Sequence, residues 1–198
     1  AATPGTVTGT TDTSVSKAIT GLDAATTYYF RVVAVNRGGT TTSTHLSFTT
    51  GAAASRLVVT GSGTMTAGGS NNLTITAKDA GGNTVTSYTG DKSLTFSGAA
   101  SSASPVTTPK VSNKSGTATA FGTATIITFT NGVATVSGAN NGVMTLYKAE
   151  TALIVASDGS ITSSGDDRLS VVVSAATATV LTVAGNNQSA AVSTALGA

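Results

Sequence analysis

The clearest alternation of apolar and polar side chains lies in residues 125–155. Period-two alternation interrupted by Asn-Gly pairs is typical of antiparallel strands, because both residue types tolerate the positive φ of tight turns. Asn131-Gly132 and Asn141-Gly142 are therefore predicted turns. The predicted buried face holds Ile127, Phe129, Val133 and Val136, then Val143, Thr145 and Tyr147, with Met144, Leu146 and Lys148 on the other side.

Short alternating segments separated by Gly, Asn and Ser continue this pattern from residue 56 onward. The chain is rich in Thr, Ser, Gly and Val, a mixture that favours strands and turns over helices. We therefore expect an all-β protein built of tandem antiparallel β-sandwiches. The predicted strands are 57–59, 73–78, 84–86, 94–96, 118–121, 125–129, 133–136, 143–147, 152–156 and 169–173.

Residues 22–36 read Leu-Asp-Ala-Ala-Thr-Thr-Tyr-Tyr-Phe-Arg-Val-Val-Ala-Val-Asn. This stretch resembles the sixth strand of a fibronectin type III domain and the corner before it, where that family carries Leu-x-Pro-x-Thr-x-Tyr-x-Phe-x-Val-x-Ala-x-Asn. Ala24 stands in place of the proline. The resemblance implies that the Tyr28 hydroxyl bonds back to the upstream backbone as a tyrosine corner. It also implies a turn at Gly38-Gly39 and a last strand over 44–49.

This resemblance covers only about residues 5–50. A sandwich of this class has seven strands in about 100 residues, so the earliest strands have no counterpart here. We therefore expect the first region to present an apolar face and an open strand edge.

Residues 56–174 resemble a bacterial Ig-like domain of the kind found in invasin-type adhesins. The resemblance rests on the segments 73–85, 131–136 and 149–155, and above all on the turn Lys-Asp-Ala-Gly-Gly-Asn that ends at Asn83. A similar opening strand restarts at 178–183. The predicted organisation is a partial fibronectin III-like sandwich (1–50), a linker (51–55), a complete Ig-like sandwich (56–174) and the first strands of a further module or an exchangeable strand (175–198).

Charged residues make up only 9% of the 198 residues, with a formal net charge of +2. So small a surplus of base provides no basic patch, and nucleic acid is not an expected partner. No apolar run approaches the roughly 20 residues of a membrane-spanning helix. The chain contains no cysteine and begins at Ala1 without a leader, so we expect a processed or internal piece of an extracellular or bacterial cell-surface protein.

The single histidine, His45, lies in the predicted last strand of the first region, with no acidic or nucleophilic partner identifiable beside it. We therefore predict that the chain is not an enzyme and has no catalytic residue, cofactor or metal. Eight acids are spread over predicted turns, where aspartate bonds to nearby backbone; they are Asp12, Asp23, Asp79, Asp91, Glu150, Asp158, Asp166 and Asp167.

The sequence leaves two alternatives open, a calcium site and a covalent Lys–Asn cross-link. Asp158, Asp166 and Asp167 form the one acidic cluster, but their spacing matches no EF-hand or nonapeptide pattern, so calcium is the less favoured interpretation. Some adhesins resembling this class form a Lys–Asn isopeptide bond assisted by a buried acid. Lys78 and Lys148 lie in predicted strands, yet nothing indicates a partner Asn, and the ordinary interpretation is that both face solvent.

Sugar binding usually uses exposed aromatic rings, and Tyr29 and Tyr88 are the candidates in a chain without Trp. Three stretches fit the N-glycosylation sequon, which a chain rich in Thr and Asn matches by chance; they begin at Asn72, Asn113 and Asn187.

The predicted function is that of a non-enzymatic structural or adhesive segment in a long modular extracellular bacterial surface or filament protein. Its partners would be neighbouring modules, a surface glycan or protein, or other copies joined head to tail, with 176–198 of one copy filling the open face of 1–50 in the next. The alternative is an accessory carbohydrate-binding or spacer module of a secreted polysaccharide-degrading enzyme.

Overall fold

The computed structural model describes residues 6–8 and 12–177, and the chain divides into two compact units, Ala1–Ala53 (unit 1) and Ala54–Ala198 (unit 2). The division falls inside the predicted linker, residues 51–55. The predicted third segment, 175–198, lies outside the described residues from position 178 onward. The module assignments remain predictions.

The described residues are almost entirely strand and turn, and the fold is all-β and of the sandwich type, as predicted. Their one helical element is a single 3-10 turn, Gly165–Asp167. No helix long and apolar enough to cross a membrane occurs in this part of the chain. The strands are β1 (Thr27–Phe30), β2 (Val33–Asn36), β3 (Gly39–Thr42), β4 (Leu46–Thr49), β5 (Arg56–Thr60), β6 (Thr64–Thr66), β7 (Ser70–Asn72), β8 (Thr74–Lys78), β9 (Gly90–Ser97), β10 (Lys110–Ser112), β11 (Ala118–Ala120), β12 (Thr125–Phe129), β13 (Val133–Ala134), β14 (Val143–Thr145), β15 (Glu150–Ser157) and β16 (Leu169–Ser174).

Unit 1 contains a long two-stranded hairpin in which β1 pairs with β4 and β2 pairs with β3. Between the two pairs, Arg31 and Val32 lie opposite the three residues 43–45, so the second strand carries one extra residue, as in a β-bulge. The turn between β2 and β3 lies at residues 37–38, one position before the predicted Gly38-Gly39 turn, because Gly39 opens β3.

Unit 2 is built from three sheets whose inward side chains form one hydrophobic core. The strand orders are β12-β9-β15-β16-β6, β11-β10-β14-β7 and β13-β8-β5. One pair departs from the predicted antiparallel arrangement, because β16 runs parallel to β6. The largest fully buried side chains include Leu57, Ile75, Phe96, Phe129, Met144 and Ile154.

In unit 2 the structure removes one predicted strand and adds three short strands. Residues 84–86 do not form a strand, although Val85 is buried and Thr84 makes a single bridge pair with Lys78. Three short strands were not predicted, since Thr64–Thr66, Ser70–Asn72 and Lys110–Ser112 are too short and too polar to show alternation. These three strands extend the two larger sheets.

The Asn131-Gly132 turn is confirmed, with φ of 49° and 83° at the two residues. The prediction of which side chains face inward after this turn was wrong at several positions. Val133 and Val136 are only half-buried, whereas Ala134 is fully buried. In the next segment Met144 and Leu146 are buried, and Val143, Thr145 and Tyr147, predicted to face inward, are half-buried. Side chains alternate strictly along a strand, so a one-residue difference in phase exchanges its two faces.

Candidate functional site

Tyr28 closes the corner that leads into β1. The backbone N–H of Asp23 donates to the Tyr28 hydroxyl oxygen at 2.9 Å, which confirms the predicted bond to the upstream backbone. Ala25, with φ of 50°, turns the chain between them. Thr50 fastens the corner to the end of β4, because its hydroxyl donates to the Asp23 carbonyl at 2.6 Å and accepts from the Thr26 N–H at 2.9 Å.

Three aromatic rings lie side by side on one face of the β1–β4 pair. Tyr28 lies opposite Phe48 in the register, and their rings stack with centroids 5.9 Å apart. Phe30 lies opposite Leu46, and its ring tilts against Phe48 at 6.3 Å. Alternation along both strands places these four side chains on the same face. This face is the apolar face that the sequence predicted for the first region.

The apolar face opens into a cavity of about 620 Å³ within unit 1. Val15, Ile19 and Leu22 line it from the segment before β1, and Phe30, Val32 and Phe48 line it from the hairpin. These side chains are not enclosed: Phe30 is 42% exposed, Val32 53% and Ile19 58%. Two cations, Lys17 and Arg31, also border the cavity. Among the described residues, unit 1 therefore offers an open apolar surface with basic side chains at its border.

His45 is exposed and lies in the bulge before β4, outside the strand in which it was predicted. The bulge is held by Ser43, whose N–H donates to the Val32 carbonyl and whose hydroxyl accepts from the Val32 N–H, both at 2.9 Å. The bulge thus positions the hairpin, and His45 takes part only as one of its three residues.

In unit 2, Tyr88 and Asp158 form a hydrogen-bonded pair of titratable side chains whose pKa values are both shifted. The Tyr88 hydroxyl donates to an Asp158 carboxylate oxygen at 2.6 Å, and the Lys92 ammonium lies 4.7 Å from the centre of the Tyr88 ring. Burial, together with the hydrogen bond and charge of Asp158, raises the pKa of Tyr88. Burial also opposes ionisation of Asp158, but hydrogen bonds from the Ile161 N–H, Tyr88 and the Ser160 N–H outweigh it and lower the pKa of Asp158.

The acids predicted as a calcium alternative do not converge. Both Asp158 oxygens already accept hydrogen bonds, and Asp167 lies 3.4 Å from the Arg56 Nε, while Asp166 is exposed. Throughout the described ranges no group of three His, Cys, Asp or Glu side chains has the geometry of a metal site.

Asp79 accepts from the Asn83 N–H at 2.8 Å within the predicted turn, which is the local bonding expected of a turn aspartate. Asp91 differs from the prediction, because it lies in strand β9 and not in a turn. Its carboxylate accepts from Lys114 and from the Thr128 hydroxyl, which are 23 and 37 positions away in the sequence.

Lys148, one of the two lysines of the isopeptide alternative, forms an ordinary ion pair with Glu150. Lys148 Nζ lies 3.6 Å from Glu150 Oε2, and the lysine side chain is 42% exposed. The other Glu150 oxygen accepts from the Ala100 N–H at 2.7 Å. Glu150 therefore pairs with Lys148 and a loop, and Lys78 lies in β8 without joining them.

The two tyrosines predicted to be exposed differ. Tyr29 is 73% exposed, as predicted, but Tyr88 is half-buried because its ring packs edge-on against Phe129 at 4.9 Å. Of the sequon residues, Asn72 is exposed in β7, whereas the Asn113 side chain accepts from the N–H groups of Ser115 and Thr117. Asn187 lies outside the described residues.

No protein-family model matches the chain, and a comparison with curated proteins finds no match either. The resemblances to fibronectin III and bacterial Ig-like domains therefore rest on the motifs in residues 22–36 and 73–155 alone.

Proposed function

We propose that this chain is a non-enzymatic structural segment of a long modular extracellular bacterial protein, in which β-sandwich units follow one another along the polypeptide. The observation that carries the proposal is the succession of two β units on one chain, divided at Ala53–Ala54. The first unit has the tyrosine-corner bond between Tyr28 and Asp23, and the second has one continuous core. Serial β-sandwiches suit a protein that spans distance.

The outward faces of β15 and β16, two neighbouring strands of the largest sheet, also support this role. The outward side chains of its strands β15 and β16 are uncharged: Thr151, Leu153, Val155, Ser157, Ser170, Val172 and Ser174. A face of hydroxyl and aliphatic groups suits adhesion to other neutral surfaces better than binding to a highly charged polymer. Secretion and surface attachment would place this face where such contacts form.

An antibody raised against the whole chain tests the proposal on cells that produce it. We expect labelling of intact cells without permeabilisation, and a denatured immunoreactive polypeptide far heavier than the 19.1 kDa of this chain. A polypeptide near 19.1 kDa that is reached only after permeabilisation would contradict the proposal.

The exposed ring of Tyr29 favours a second candidate, an accessory module of a secreted polysaccharide-degrading enzyme. Retention on insoluble cellulose, chitin and xylan tests it directly. If this candidate holds, Tyr29→Ala weakens retention, and Thr27→Ala, at the same face of β1 and paired with Thr49, does not. Equal retention of both variants, or none by the unmodified chain, removes the candidate.

A further inference from the structure

The open face of unit 1 is large and strongly apolar for a surface of a small unit. The exposed side chains include Ile19, Phe30, Val32, Leu46 and Phe48, each between 38% and 58% accessible. All of these except Leu46 border the cavity, whose volume of about 620 Å³ corresponds to about 20 water molecules in the liquid. Contiguous exposed apolar surface of this kind marks an interaction site.

The backbone beside this face indicates what shape of partner fits it. Among the described residues, β1 pairs only with β4 and β2 only with β3, so each strand of the hairpin has a second edge. A strand edge binds extended peptide through main-chain hydrogen bonds, and the apolar face selects alternate side chains of that peptide. The fitting partner is therefore an extended segment with apolar side chains at every second position.

Residues 178–198 of this chain have the required chemistry. The segment contains no charged residue, which suits an apolar cavity bordered by Lys17 and Arg31. Within Thr179–Ala184, Leu181 and Val183 are two positions apart, so an extended conformation directs both to the same side. Six extended residues measure about 20 Å, which is longer than a four-residue strand such as β1.

We propose that unit 1 is an acceptor for residues 178–198 of a second copy of this chain, with Leu181 and Val183 inserted beside Phe30 and Phe48. This inference rests on the proposed function, in which units follow one another, since a donor at the end of unit 2 and an acceptor in unit 1 join copies head to tail. A head-to-tail contact of this kind does not close unless the rotation between copies brings the ends together, and it then forms chains of copies.

The experiment measures the native mass of the full chain by light scattering over a roughly hundredfold range of concentration, because mass action favours association at the high end. The acceptor variant is Phe30→Asp, and its control is Tyr29→Asp, the neighbouring residue on the opposite face of β1. The donor variant is Leu181→Asp, and its control is Thr182→Asp, the neighbouring position of opposite phase.

We expect the unmodified chain and both controls to associate as concentration rises, and each of the two variants to associate at least about tenfold more weakly. An equimolar mixture of Phe30→Asp and Leu181→Asp is the decisive sample. The first retains a working donor and the second a working acceptor, so the mixture should form pairs of twice 19.1 kDa and grow no further. This result does not require unit 1 of the Phe30→Asp variant to fold.

An unmodified chain that stays at 19.1 kDa at every concentration overturns the inference. Association that all variants share equally overturns it as well, because the copies then meet through another surface. A mixture that forms no pairs has the same consequence. None of these results bears on the antibody experiment, which tests the proposed function separately. If the antibody labels intact cells and detects a far heavier polypeptide while the 198-residue chain stays monomeric, the proposed function stands and only this inference fails.

Discussion

The Tyr88 hydroxyl in unit 2 donates a hydrogen bond to Asp158, 70 positions later in the sequence. The Tyr88 ring meets Phe129 edge-on in a T-shaped contact and lies under the Lys92 ammonium. One side chain therefore joins the loop before β9 to the loop after β15. The pair resembles an active-site arrangement in its shifted pKa values, but its contacts account for those shifts as a structural tie.

Replacement of Tyr88 by Phe should lower the free energy of unfolding of unit 2 by about 1.5 to 3 kcal/mol at neutral pH, because a hydrogen bond to a carboxylate is lost. The lowered pKa of Asp158 means that its contribution is present above the ordinary value near 4 and is lost as pH falls. The raised pKa of Tyr88 means that its contribution is complete below about 10 and is lost as pH rises.

Urea unfolding of both proteins between acid and alkaline pH checks this prediction. The difference between unmodified chain and variant should be largest near neutrality and should shrink at both extremes. Tyr147→Phe is the control, since the Tyr147 hydroxyl makes no hydrogen bond among the described residues. A pH-independent difference for Tyr88→Phe would show that the hydroxyl contributes through packing alone.

Gly132 carries a second residue-scale prediction. A Cβ built there lies 2.6 Å from the Val85 carbonyl oxygen, whereas one built at Gly122 meets nothing within 4 Å, and φ is 83° and 81° at the two sites. Both alanine variants suffer the strain of positive φ, about 1 kcal/mol or somewhat more. Gly132→Ala should cost at least about 2 kcal/mol beyond Gly122→Ala because backbone must also move. Thermal unfolding measures the loss of stability in both variants. Equal losses would mean that the backbone of the 131–132 turn moves away from Val85 at no cost.

At the scale of elements, strand β14 shows what decides which of the two faces of a strand is buried. Met144 lies between Val111 of β10 and Asn71 of β7 in the register, and all three side chains are buried. The preceding Asn141, with φ of 64°, anchors the entry to the strand, because its side chain accepts from the Thr128 N–H and donates to the Thr128 carbonyl. Both faces of 143–147 carry apolar residues, so alternation alone does not distinguish them.

The phase of β14 predicts unequal effects of two neighbouring truncations. Met144→Ala should lower the free energy of unfolding by about 2 to 5 kcal/mol, since it empties a fully buried site. Val143→Ala should cost well under half as much, because Val143 is half-buried. Chemical denaturation followed by circular dichroism measures both. If Val143→Ala lowered the free energy of unfolding more than Met144→Ala, the face of β14 that carries Val143 would be the buried one.

At the scale of the whole molecule, the two units differ in how they treat apolar side chains. Unit 2 buries Leu, Ile, Val, Met and Phe side chains in one cluster, whereas the strands of unit 1 leave Phe30, Val33, Val35 and Leu46 exposed. Burial of apolar surface is the main source of stability, and local opening follows where such burial is slight.

Amide hydrogen exchange should therefore separate the two units in dilute solution. We expect amides of β1 to β4 to exchange at least about a hundredfold faster than paired amides of β9 and β15, since opening of the hairpin exposes little additional apolar surface. Mass spectrometry of peptic fragments measures this contrast. Comparable protection in β1 to β4 and β9 would indicate that another segment covers the face of unit 1.

The sequence alone determined the all-β class, most strand positions and the Asn131-Gly132 turn, because each depends on neighbours close in the chain. The fibronectin III resemblance added the bond between Tyr28 and the upstream backbone, and the structure supplied Asp23 as the partner. Alternation and positive φ are local properties, and so is a corner that spans five residues. Only the tertiary structure decided the inward phase of β14, the parallel pairing of β6 with β16 and the partnership of Tyr88 with Asp158. These features depend on which distant strands meet, and the free energy that selects them comes from packing and hydrogen bonds between segments far apart in the sequence.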